Sequence, residues 1–318
     1  MGQGLRRALR SPVILLWLWL LNGFVALPAA VWIAGSLQGS IGRSRVAENL
    51  RTGFDLQWYG EYGAQASAVE TSFVPSVNRG GAFLDNLEDW LSGRLFTNLP
   101  ELVVLGVIYA LLWALMLGGV LTRYAAPDDN RGAGTFFRNG GRFFFRFFRL
   151  AALAAGLYAV IYVVQQHWTE QLLEKTRDVT SELGVLGRYL TVWVPVALLL
   201  VLVRVIFDYA KIATVVDDRR SMLLAALRGA GFVVLHPLKT LGLCFAWLVV
   251  GTFALAVYIF LAPGAGVSTP ATVAIAFAIG QAFLMSRLLM RLSLLAGQTE
   301  LYKAHSTPTE TPASLQST

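Results

Sequence analysis

Residues 102–121 read LVVLGVIYALLWALMLGGVL, twenty residues without a single charge. At about 1.5 Å per residue, one α-helix of that length crosses a hydrocarbon core of roughly 30 Å. Lipid offers the backbone no hydrogen bonds, so a spanning segment must satisfy its own amides as a helix. Similar runs recur along the chain and predict an all-α, polytopic integral membrane protein. Only 14% of the 318 residues are charged and 56% are apolar, against about a quarter charged in a soluble domain.

Six spans are expected, at about 12–34, 102–121, 145–164, 189–207, 240–261 and 271–289. The first follows Arg6, Arg7 and Arg10. Its rival reading is a cleaved signal peptide, because Leu27-Pro28-Ala29-Ala30 is loosely cleavage-like. Hydrophobicity continues past that point through Val31-Trp32-Ile33, which favours a retained helix. The apolar part of the third span, Leu150–Val164, is too short alone and must borrow the Phe-rich turns before it. Pro263-Gly264-Ala265-Gly266 separates the fifth span from the sixth. Residues 1–298 thus form one six-span domain. The Ser-, Thr- and Pro-rich stretch 299–318 is expected to be a disordered cytoplasmic tail.

The connecting segments alternate in charge. After the second span come Arg123, Arg131, Arg138, Arg142, Arg146 and Arg149, against Asp128 and Asp129. After the fourth come Lys211, Arg219, Arg220, Arg228 and Lys239. By contrast, residues 165–188 hold three basic and four acidic residues, and 262–270 hold no charge. Lys and Arg concentrate on the cytoplasmic side of membrane proteins, so both termini are expected there, in a bacterial inner membrane. The long loop at 36–100 then lies outside. Within it, Phe83, Leu84, Leu87, Trp90 and Leu91 share a helical face and predict a short amphipathic helix. A second is expected between Val46 and Tyr62.

Two connections echo each other. One carries Asp128-Asp129 and then Arg138-Asn139-Gly140-Gly141; the other carries Asp217-Asp218 and then Arg228-Gly229-Ala230-Gly231. This predicts a parallel repeat in which spans two and three correspond to spans four and five. The competing reading is convergence, since turns leading into interfacial helices favour Asp, Arg and Gly.

Arg138, Arg142, Arg146 and Arg149 are spaced four, four and three, so they form one stripe of a helix. Phenylalanines fill the rest of its circumference between Phe136 and Phe148. Such a helix is expected in the inner headgroup region, rings in the acyl boundary and guanidinium groups on anionic lipid phosphates. The plainer reading is a basic anchor for the third span. A second candidate face is Arg204, Asp208 and Lys211 on the fourth span, with Arg204 one turn inside the membrane and able to pair with Asp208. Small residues at Gly106, Ala110, Ala114, Gly118 and Thr122, and at Ala274, Ala278, Ala282 and Ser286, repeat every four residues. They permit close helix packing, or contact with a protein partner or a second copy.

Enzyme signatures are missing. The glycines between Gly132 and Gly141 lack the Lys-Ser/Thr of a phosphate loop, and neither Gly-x-Ser-x-Gly nor His-Glu-x-x-His occurs. His167, His236 and His305 have no metal-ligand spacing, and the single cysteine, Cys244, excludes an intrachain disulfide. No cofactor and no nucleic-acid partner is expected.

On Asp208-Tyr209-Ala210-Lys211, followed by Asp217-Asp218 and a short amphipathic helix, the chain resembles a class of uncharacterised six-helix bacterial inner-membrane proteins. That class includes the membrane domain fused to some glycerophosphodiester phosphodiesterases. The resemblance implies a six-helix membrane fold and carries over no site residue; no phosphodiesterase domain is present. The functional expectation is a non-enzymatic accessory or scaffold protein whose basic cytoplasmic face contacts anionic lipid. The alternatives are a transporter or export component for a small molecule or lipid, and a membrane-embedded lipid-modifying enzyme.

Overall fold

The computed structural model describes residues 2–42, 50, 55–73, 100–126, 132–176, 181–262 and 269–306, and their regular structure is helical without a strand. In chain order the helices are α1 (Gly2–Leu9), α2 (Pro12–Ile41), α3 (Leu56–Gln65), α4 (Pro100–Ala125), α5 (Ala133–Thr176), α6 (Glu182–Val216), α7 (Met222–Leu235), α8 (Pro237–Leu261) and α9 (Pro270–Ser306), with a 3-10 turn at Ala68–Ser72. Six of them, α2, α4, α5, α6, α8 and α9, are long and apolar enough to cross a membrane.

Two helices run beyond the bounds expected from the sequence. The third span and the Arg/Phe stretch before it form one continuous helix of 44 residues, α5. The helix that holds the sixth span runs on beyond 289: α9 has 37 residues and continues to Ser306. The stretch 299–306, expected in a disordered tail, is therefore helical. Burial explains this, since Thr299 and Tyr302 are 1% and 0% exposed, and polar composition there does not mark solvent. Residues 307–318 and the helix expected around Phe83–Leu91 lie outside the described residues. In the 46–62 stretch the helix described is α3, capped by Asp55, whose carboxylate accepts from the Trp58 amide at 3.0 Å.

The chain divides into two compact units, and the division falls within α1, α4, α8 and α9. One unit contains Met1–Arg7, Ala114–Trp247 and Ser293–Thr318. Its organising feature is a close helix crossing that occurs three times. A Cβ placed on Gly140 of α5 would fall 2.6 Å from the Leu115 carbonyl oxygen of α4. On Gly229 of α7 it would fall 2.5 Å from the Ile206 oxygen of α6. On Gly4 of α1 it would fall 2.5 Å from the Ser293 oxygen of α9. Only a residue without a side chain lets backbones approach so closely. Each crossing joins the start of one helical segment to the late turns of another, and α1 on α9 closes the series. Gly140 and Gly229 lie in the two stretches that echo each other, and Gly4 makes the same kind of crossing from a segment without an acidic pair.

At two of the three crossings a proline and a new helix follow the glycine. Eight residues beyond Gly4 stands Pro12, and eight beyond Gly229 stands Pro237. Each proline opens a new helix, where its missing N–H costs nothing. Eight beyond Gly140 stands Phe148, and α5 runs on unbroken. The same unit holds a core in which Leu150 and Ile161 of α5 meet Val196, Val203, Phe207 and Ala210 of α6 and Met222 of α7.

The other unit contains Ala8–Trp113 and Leu248–Leu292. Here α3 and the 3-10 turn are tied to α2 by polar side chains. Trp58 Nε1 donates to Ser40 Oγ at 3.0 Å, Ser36 and Tyr62 share a hydrogen bond of 3.2 Å, and Trp32 Nε1 donates to Glu70 at 3.3 Å. Trp19 Nε1 of α2 donates to Gln281 of α9 at 2.8 Å. Tyr258 of α8 stacks on Phe283 of α9 at 4.4 Å between ring centroids.

Candidate functional site

The arginine stripe starts α5, and the structure splits it into two pairs. Arg142 and Arg146 turn toward the α6–α7 connection. Arg142 donates to Asp218 Oδ2 at 2.9 Å, and Arg146 donates to Asp218 Oδ1 at 2.6 Å and to the Arg219 carbonyl at 3.2 Å. Both guanidinium groups also lie about 5 Å from the Phe143 ring centroid, within cation–π range. Phe143 and Phe147 are buried, so this face of α5 is packed against protein. Arg138 and Arg149, the outer members of the stripe, are exposed and meet no partner among the described residues. Phe145 and Phe148 are exposed beside them.

Asp218 is built to be held. Its φ is +47°, the left-handed region that Asp and Asn tolerate better than other side chains. That turn presents both carboxylate oxygens to α5. The Arg146 hydrogen bond, with the positive fields of Arg142, Arg146 and Arg220, keeps the Asp218 carboxyl below its ordinary range against the opposing effect of burial. The neighbouring Asp217 faces elsewhere: it accepts from Tyr302 Oη of α9 at 2.8 Å and from Arg219 at 3.3 Å, with Arg228 at 4.0 Å. The paired acids therefore join α5, α6, α7 and α9 at one place. The sequence reading treated this acidic pair only as a repeat marker and missed its role as a hub. Its adjacent carboxylates amid many arginines were the available signal.

The second candidate face is rearranged. Asp208 pairs with Lys211 at 2.9 Å, both side chains being largely buried, while Arg204 is exposed. The expected Arg204–Asp208 pair is not formed. A residue three positions along the helix is as near as one four positions along, and the lysine lies on the packed side.

A cleft of about 540 Å³ opens between α1, α8 and α9, with Gln3, Lys239 and Glu300 as its polar residues and Gly242 and Gly297 in its walls. Glu300 is paired with Arg7. Lys239 Nζ lies 3.0 Å from His305 Nε2. Among the described residues no group of three His, Cys, Asp or Glu side chains is placed to hold a metal ion.

Two charges that the sequence reading passed over lie within α9. Arg291 sits over the Trp113 ring of α4, 3.8 Å from its centroid, and Arg287 sits near Phe283 at 5.8 Å. The signal was available: Arg287 falls inside the expected sixth span. Comparison of the chain with family models, curated proteins and solved structures finds no match in any of the three.

Proposed function

We propose that this chain is a multi-span protein of the bacterial inner membrane, with both termini in the cytoplasm. On this reading it is not an enzyme but an accessory or scaffold protein that holds anionic lipid on its cytoplasmic face. The observation that carries the reading is the division of the arginine stripe. Two arginines satisfy Asp218, while Arg138 and Arg149 remain exposed next to exposed phenylalanine rings. A helix surface with free guanidinium groups beside apolar rings matches a headgroup layer, with phosphates above acyl chains. Each such cation contributes about 1 kcal/mol near an anionic surface. The six apolar helices and the charge alternation of their connections support the membrane placement.

The test is native mass spectrometry of the purified protein from membranes containing phosphatidylglycerol and cardiolipin. The double substitution Arg138→Gln with Arg149→Gln should reduce bound anionic lipid while helicity and melting temperature stay unchanged. Arg142→Gln should instead lower stability and leave most of the lipid in place. Equal lipid content in all three proteins would reduce the stripe to a plain anchor.

A further inference from the structure

We infer that the cleft bounded by α1, α8 and α9 binds one anionic phospholipid, its phosphate on Lys239 and one acyl chain along Gly242 and Ala246. The inference rests on the membrane-spanning reading above and concerns a place apart from the arginine stripe. The residues that form the cleft all belong to one compact unit. At about 540 Å³ it falls within the range of roughly 300–1,000 Å³ typical of small-ligand sites.

Missing side chains make the cleft. On α8, Lys239, Gly242, Leu243 and Ala246 line it, and their spacing of three, one and three is one helical face. On α9 the wall is Gly297, Leu301 and Ala304. The cleft is closed where α1 crosses α9 at Gly4 and Gly297, and Leu243 lies 3.4 Å from where a Cβ on Gly297 would stand. A Cβ on Gly242, by contrast, would meet nothing within 4 Å, so the space beside α8 is open.

The charge stands at one end. Lys239 directly precedes the expected fifth span, 240–261, and Ala246 lies seven residues, about 10 Å, further along α8. On the membrane reading the cleft therefore runs from the headgroup level into the acyl level. Leu238 and Phe245, one turn to either side of Gly242, are 89% and 64% exposed, an apolar surface for hydrocarbon to cover.

The acid in the cleft, Glu300, is paired with Arg7. Lys239 has no carboxylate partner among the described residues and instead meets His305. Nδ1 of that ring lies 2.9 Å from the Leu301 carbonyl oxygen, which can only accept, so Nδ1 carries the proton and Nε2 accepts from Lys239 Nζ at 3.0 Å. A neutral imidazole orients the ammonium group without cancelling its charge. Two of its three N–H bonds remain for a phosphate. A soluble anion would use the charge alone and leave the apolar length of the cleft empty, whereas a phospholipid fills both.

The test is native mass spectrometry of the full chain in mild detergent, supplied with phosphatidylglycerol or phosphatidylcholine. Wild type should hold one more phosphatidylglycerol than Gly242→Leu, which puts a side chain into open space and should not lower the melting temperature. Should Gly242→Leu misfold, Ala246→Leu fills the same cleft. Lys239→Gln should weaken binding of that lipid about fivefold, the effect of one cation near an anionic surface, and phosphatidylcholine should be indifferent to it. Arg138→Gln with Arg149→Gln should leave the cleft lipid in place. Loss of lipid in the cleft variants alone supports this site and leaves the stripe a plain anchor; loss in the double arginine variant alone supports the stripe and overturns the cleft. Equal phosphatidylglycerol on wild type, Gly242→Leu and Lys239→Gln overturns the inference. Displacement of the lipid by millimolar glycerol 3-phosphate overturns a lipid as the occupant.

Discussion

Arg146 of α5 donates a 2.6 Å hydrogen bond to Asp218, which lies 72 residues later in the chain. The pair is half open to solvent on the Asp218 side and mostly covered on the Arg146 side. Because Arg142 grips the other oxygen, the carboxylate staples a helix to a turn. Asp218→Asn keeps the tolerance for left-handed backbone and removes only the charge. It should cost about 0.5–1 kcal/mol, the range for partly exposed pairs. The folded carboxyl titrates below its unfolded value, so the pair stabilises at neutral pH. That contribution fades as pH falls below the unfolded value, near 4, and is lost through the lower folded value. Thermal melts in detergent should separate wild type from Asp218→Asn at pH 7, and the gap should be smaller at pH 3. A constant gap at both pH values would show that the charge is not the cause.

Gly229→Ala is expected to destabilise the crossing of α7 on α6. The new methyl would meet the Ile206 carbonyl oxygen and the Ala210 backbone, none of which can rotate away. Forcing packed helices apart costs about 1–3 kcal/mol. Gly231→Ala, two residues on, meets nothing within 4 Å and should be neutral or stabilising by up to about 1 kcal/mol through helix propensity. Chemical unfolding in mild detergent distinguishes them. Equal effects would mean that the close approach is not part of the stable fold.

Asp208→Asn should be worse than Arg204→Leu. The first leaves a largely buried Lys211 without its partner, and the second removes an exposed charge. A broken buried pair costs roughly 3–5 kcal/mol, and this partly covered one should fall below that, at about 1–3. The double change Asp208→Leu with Lys211→Leu should recover most of the loss, because apolar residues of similar size replace a buried pair well. Melting temperatures of the three proteins decide the matter, and a more damaging Arg204→Leu would reverse the assignment.

Reporter fusions test the proposed orientation. Placed after residues 45, 130, 178, 220, 265 and 312, they should alternate, beginning with an outside signal. This follows from the basic connections at 123–149 and 211–239 and the uncharged one at 262–270. A cytoplasmic signal at residue 45 would exclude two cytoplasmic termini.

The six long apolar helices and the basic character of α5 were legible in the residues alone. Hydropathy is nearly additive along a segment, so Leu102–Leu121 announces a helix of spanning length whatever surrounds it. Proline was not a legible stop signal: Pro12 and Pro237 open helices, whereas Pro28 and Pro195 lie inside α2 and α6. What tertiary structure decided is which polar groups find one another. Asp218 chooses Arg142 and Arg146 over its immediate neighbours because a left-handed turn aims it at α5. Asp208 takes Lys211 because that side of α6 is the packed one. Residues 299–306 are helical because Tyr302 is buried and bonded to Asp217, 85 positions away. Such pairings depend on distances between segments far apart in the chain, and local composition does not contain them.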